Sequence, residues 1–153
     1  MPTKRYPHAH KEIMAVMISG MLQEWIIHPS TSPFSSPVLL VTKKDRSLRF
    51  CVDYHALKSI TVKDHFPIRV VDEILDELHR AAILTKLDLK AAYHQVHVAS
   101  EDVHKTTCRI IDDHFEFLAI LFSLFNASST FQVIMNNNFC PLLGRYVSVV
   151  FDI

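Results

Sequence analysis

Asp88 closes the short apolar run Thr85-Lys86-Leu87-Asp88-Leu89 and is followed five positions later by Tyr93. A carboxylate at a strand end is carried by rigid backbone and can hold a metal ion in fixed register with a substrate. One dense basic cluster accompanies it: Lys43, Lys44, Arg46 and Arg49, interrupted among charged residues only by Asp45. Such a cluster is either a solvated hairpin or a local phosphate-binding surface. Any attraction for nucleic acid must be local, because 16 basic and 16 acidic residues leave a formal charge of zero. The histidine pairs His8/His10 and His94/His97 lack further ligands at metal-site spacing and read as structural or incidental. Cys51, Cys108 and Cys140 are odd in number and far apart, which points to neither a disulfide framework nor a zinc module and fits a reducing compartment.

Periodicity supplies the helices and strands that would carry these side chains. Ile13, Met14, Met17, Met21 and Leu22 recur at helical spacing and predict a helix over residues 11–26. Pro29, Pro33 and Pro37 predict an extended loop, since proline lacks a donor and biases its predecessor away from helix. A hairpin is expected from residues 38–42 and 48–52 around an Asp45-Arg46-Ser47 turn. Val70, Val71, Ile74, Leu75 and Leu78 form one face of a short helix. Residues 83–89 read as a buried strand carrying Asp88, and residues 96–98, 106–111 and 115–120 as further short strands. Asn126 or Ser128 can cap a helix whose Phe131, Ile134, Met135 and Leu142 face inward, and residues 146–152 read as a last strand. This order is mixed α/β, an α+β arrangement without repeated βαβ units, internal repeats or a linker.

Leu87-Asp88-Leu89-Lys90-Ala91-Ala92-Tyr93-His94-Gln95-Val96 resembles the first catalytic-aspartate motif of reverse transcriptases from gypsy-type long-terminal-repeat retrotransposons. The resemblance extends over about residues 5–152. It takes in Pro29-Ser30-Thr31-Ser32-Pro33-Phe34-Ser35-Ser36-Pro37, then Lys43-Lys44-Asp45 with Arg49-Phe50-Cys51-Val52-Asp53-Tyr54. Downstream, Phe115-Glu116-Phe117-Leu118, Asn126-Ala127 with Thr130-Phe131-Gln132, and the terminal Val149-Val150-Phe151-Asp152 keep the same register. Singly each residue has a plainer reading: an Asp as a cap, a Tyr as core. Their order and spacing carry the resemblance.

The family's chemistry is RNA-directed DNA polymerisation, an in-line phosphoryl transfer stabilised by two magnesium ions. The resemblance implies a right-hand polymerase fold with fingers at about residues 1–82 and 97–126, partial palm at about 83–96 and 127–153, and no thumb. It implies Asp88 and Asp152 as catalytic Mg2+ ligands, Lys43 and Arg49 on the triphosphate of a deoxynucleotide, and Tyr93 as the gate against a ribose 2′ hydroxyl. Phe122 falls in the nucleotide-binding region and Gln132 near the template-primer track. Partners implied are an RNA/DNA template-primer and dNTP.

Departures from the pattern are concentrated at special positions. Trp25, Arg46, Arg80, Ala92, Asp113 and Ser123 stand where the pattern has glycine, Leu121 and Ser128 where it has proline, and His28 and His55 where it has arginine. Many of these changes can arise by G-to-A or C-to-T transitions, the spectrum of a decayed, silenced element copy. Asp152 is followed by Ile153 where the paired motif has a second aspartate. At 153 residues the chain is expected to be a fragment without polymerase activity of its own. The other reading is a non-catalytic nucleic-acid-binding or interaction protein derived from the same element. No signal peptide and no apolar run of membrane-spanning length is found, so a cytoplasmic or nuclear location is expected, neither membrane-bound nor secreted.

Overall fold

The computed structural model describes residues 8–64, 66, 71–79, 81–110 and 113–149. Helix α1, His8–Gln23, buries Met14 completely and packs Ile18, Met21 and Leu22 against the core, while Val16 faces solvent. It ends in a Schellman turn. The Ile26 N–H donates to the Met21 carbonyl at 2.9 Å and the Trp25 N–H to the Leu22 carbonyl at 3.2 Å, with Trp25 in the left-handed region at φ 55°. Glycine is the usual residue at that position because it has no Cβ to meet the following carbonyl.

Strands β1 (Ile27–Pro29), β2 (Ser36–Thr42), β3 (Leu48–Val52), β4 (Cys108–Ile110) and β5 (Asp113–Phe117) form one sheet in the order β1-β5-β4-β2-β3. The β2–β4 pair is parallel and the rest antiparallel. The expected hairpin is present: Val38 lies opposite Val52 and Thr42 opposite Leu48. Strand alternation sends Val38, Leu40, Phe50 and Val52 to the core with Met14, Ile27, Cys108, Ile110, Phe115 and Phe117. Pro29 and Pro37 lie inside β1 and β2, so the irregular connection is shorter than expected, residues 30–35.

Tyr54, just past the end of β3, ties the sheet to the turn that precedes β4. Its ring is buried, and its hydroxyl donates to the Thr106 carbonyl at 2.6 Å. The Thr106 hydroxyl in turn accepts the Phe117 N–H at 2.8 Å. Burial, and secondarily the neighbouring Cys108, push the Tyr54 phenol well above its usual range. Burial likewise pushes the Cys108 thiol up to about 12.

Helices α2 (His55–Ile60) and α3 (Val71–Leu78), and 3-10 turns at Ala92–Gln95 and Val103–Thr106, fill the long connection from β3 to β4. The buried strand expected over residues 83–89 is absent. That segment is irregular and exposed throughout, because among the described residues no strand lies beside it to take its backbone groups. Residues 96–98 form only a single bridge, His97 to Ala119, supported by the Val98 N–H to Leu118 carbonyl bond at 2.8 Å. Helix α4, Ala127–Phe139, buries Phe131 and half-buries Ile134 and Met135. Leu142 lies beyond its end and is exposed, contrary to expectation. Of the last expected strand, Val147 bridges Leu143 and Tyr146 is exposed; residues 150–152 lie outside the described residues, as does Val70 of the expected helix face.

Candidate nucleotide and nucleic-acid site

The hairpin tip is built by a turn that closes with the Lys43 N–H on the Ser47 carbonyl at 2.8 Å and the Arg46 N–H on the Lys43 carbonyl at 3.0 Å. Arg46 holds the left-handed position at φ 65°, the place a three-residue hairpin loop reserves for glycine. Asp45 folds back: its Oδ1 accepts the Ser47 hydroxyl at 2.6 Å and the Ser47 N–H at 2.9 Å. Those two bonds, with the charge of Lys43, hold its carboxyl below the usual range. Arg49 lies opposite Val41, so it and Lys43, two residues beyond Val41, share the face turned away from the core. Both are exposed, and neither has an ion-pair partner among the described residues.

The second constellation is aromatic. Ala91, at φ 50°, turns the chain into the 3-10 turn that carries Tyr93. The Tyr93 ring meets Phe122 edge-on at 5.7 Å and Phe131 at 5.4 Å, and its hydroxyl lies 3.4 Å from Ser128 Oγ. Tyr93 and Phe122, predicted separately, are thus in contact, with Phe122 itself exposed. Gln132 is buried, and its Nε2 donates to Asn136 Oδ1 at 2.8 Å, one turn along the same helix.

Asp88 is exposed on the irregular segment, with no hydrogen bond or ion pair among the described residues. Asp152 lies outside the described residues. Among the described residues no group of three His, Cys, Asp or Glu side chains could hold a metal. Asp88 suits magnesium as one of the one or two carboxylates such an ion takes. The other expected donor has no described position.

Two features had no signal in the sequence. Asn126, with Ser128 one of two residues expected to cap α4, stands at the N-cap position but makes no capping bond with its side chain; it instead donates from Nδ2 to the Val62 carbonyl at 2.9 Å and accepts the Asp64 N–H at 3.1 Å. It fastens the segment after α2 to the start of α4, where Lys63 sits 5.2 Å above the Phe125 ring. Beside this staple a half-open cavity of about 590 Å³ is lined by Tyr54, Leu57, Val98, Ile120 and Leu124.

This architecture is the mixed helix and sheet fold of a reverse transcriptase. The foamy viral protease-reverse transcriptase in complex with RNA/DNA hybrid matches it with a TM-score of 0.78 at 17% identity, over 99% of this chain and 20% of that one. The same viral protein in complex with double-stranded DNA matches with a TM-score of 0.75. The model of the reverse transcriptase (RNA-dependent DNA polymerase) family matches residues 41–152, and the chain belongs to that family. It is 36% identical over 157 residues to the retrovirus-related Pol polyprotein from transposon 297 of Drosophila melanogaster, covering 98% of this chain and 15% of the relative. It is 32% identical to the polyprotein from transposon gypsy of the same species. An RNA-directed DNA polymerase homolog of Oenothera berteroana is 44% identical over 106 residues, 69% of this chain and 75% of the relative. The chain therefore spans about one seventh of the transposon polyproteins it matches. Among the described residues no helix is long and apolar enough to cross a membrane.

Proposed function

We propose that this chain is the fingers and partial palm of a retrotransposon reverse transcriptase and serves to hold template-primer and dNTP for RNA-directed DNA synthesis. The fingers take about residues 1–82 and 97–126, the palm about 83–96 and 127–153. The observation that supports this most is the hairpin, which presents Lys43 and Arg49 on one exposed face without an ion-pair partner among the described residues. There they can take the triphosphate, arginine as a two-pronged donor and lysine as a point charge. Tyr93, steadied by Phe122 and Phe131, supplies a rigid ring edge against the sugar. Magnesium, when bound at Asp88 and Asp152, supplies stabilisation of the attacking and leaving oxygens.

The 153 residues by themselves do not extend a primer. Asp88 rides on exposed irregular backbone, and misplacing a catalytic group by about 1 Å costs on the order of 100-fold in rate. Primer extension on an RNA template with magnesium or manganese tests this, and incorporation at background is expected. Incorporation that disappears in Asp88→Asn would overturn it. Salt-dependent binding of template-primer without incorporation is the expected behaviour of the chain.

A further inference from the structure

The half-open cavity beside the Asn126 staple is walled mainly by carbon, because several of the polar groups around it are already spent. Tyr54 offers only its ring, since its hydroxyl donates to the Thr106 carbonyl at 2.6 Å. The Thr61 hydroxyl donates to the Leu57 carbonyl at 2.7 Å, and the Thr106 hydroxyl to the Val103 carbonyl at 2.7 Å. Leu57, Val98, Ile120 and Leu124 supply aliphatic surface between them. The charged side chains at its border do not cancel. Asp102 and Lys105 pair with each other, which leaves Lys58 of α2. Lys58 is half-buried, and its ammonium has no hydrogen-bond or ion-pair partner among the described residues. A lysine so placed lays its stem along apolar surface and keeps its head at the boundary with water.

We propose that this cavity binds a small amphiphilic anion, an apolar body carrying one carboxylate or sulfonate. The body lies against Leu57, Val98, Ile120 and Leu124, and the head group accepts from the Lys58 ammonium. The volume of about 590 Å³ falls within the roughly 300–1,000 Å³ of small-molecule pockets, which are built from apolar walls and a few placed polar groups. A polar body would give up its hydration and find the hydroxyls of Tyr54, Thr61 and Thr106 already donated. A cationic head would meet Lys58 as a like charge. The cavity lies between the segment after β3 and the start of α4, the two parts that Asn126 ties together, so an occupant braces the same join.

The test uses decanoate as the anion, with decanol and decylammonium as neutral and cationic molecules of the same chain length. Each is competed against anilinonaphthalene sulfonate fluorescence on the full chain. Decanoate should displace the dye, and decylammonium at equal concentration should not. Lys58→Gln should weaken decanoate about tenfold, the loss of one charge-assisted contact, and leave decanol unchanged, whereas a variant damaged only in folding would weaken both. Leu124→Trp, which fills the cavity, should abolish decanoate binding. Hydrogen exchange should locate the ligand by slower exchange at residues 57–61 and 124–127. Decylammonium competing as well as decanoate, Lys58→Gln holding decanoate like the parent, or protection confined to the exposed residues 83–87 would each overturn the site. So would the absence of any displacement by decanoate.

Discussion

Left-handed backbone on a side chain with a Cβ costs roughly 1–2 kcal/mol, and among the described residues Trp25, Arg46 and Ala91 all hold it. Trp25 is 76% exposed, so the strain at its Schellman turn is not offset by burial of the indole. Trp25→Gly and Arg46→Gly should each therefore stabilise the chain by about 1 kcal/mol, less the entropy glycine returns to the unfolded state, read as a rise in urea midpoint. Ala91→Gly should do the same. Ala92→Gly should not, because the glycine-like position is Ala91, one residue ahead of the one the family pattern indicates. A gain at Ala92 and none at Ala91 would contradict the assigned backbone. Buried Cys108 and Tyr54 set a second residue-scale expectation. Both stay protonated in the fold where the unfolded chain has begun to ionise them, so the unfolded state holds fewer protons and stability falls as pH rises. For Cys108 the window runs from 9.0 to about 12. The thermal midpoint should drop across that window, and Cys108→Ala should flatten the drop without abolishing it, since Tyr54 contributes above its ordinary value of 10.0.

At the scale of elements, the β2–β3 hairpin was legible in the sequence because its signals are local: two alternating runs and a turn between them. The segment over residues 83–89 was not, because an apolar run becomes a strand only when neighbours take its hydrogen bonds. The candidate site divides the same way. Tyr93 and Phe122 could be picked out by motif, but their contact depends on a 3-10 turn meeting the segment ahead of α4, far along the chain. Asn126 shows how a capping signal can mislead, since its side chain serves the backbone of another segment while its own position precedes α4. A cap would accept aspartate as readily as asparagine. Asn126→Asp should instead lose the bond to the Val62 carbonyl and cost about 0.5–1.5 kcal/mol. Hydrogen exchange should report it as faster exchange at residues 62–64, and unchanged exchange there would return Asn126 to a capping role.

The whole molecule is unevenly closed. One end is a five-stranded sheet over a core in which Met14, Val38, Cys108 and Phe117 are fully covered. At the other, Ile83, Leu84 and Leu87 are exposed at 87%, 63% and 85%, on backbone that no described strand pairs. Exposed apolar backbone of this kind offers hydrogen bonds and hydrophobic surface to any extended chain that meets it, including another copy. The isolated chain should accordingly associate as its concentration rises, with sedimentation coefficients that increase and with slow loss of soluble protein. Leu84→Lys with Leu87→Lys should suppress that association without lowering the thermal midpoint, because neither side chain contributes to the core at the sheet end. Charged residues on unpaired edges are the ordinary means by which proteins prevent such pairing. A parent chain that stays monomeric at high concentration would overturn this expectation, and a double variant that associates as readily as the parent would place the contact elsewhere than on these leucines.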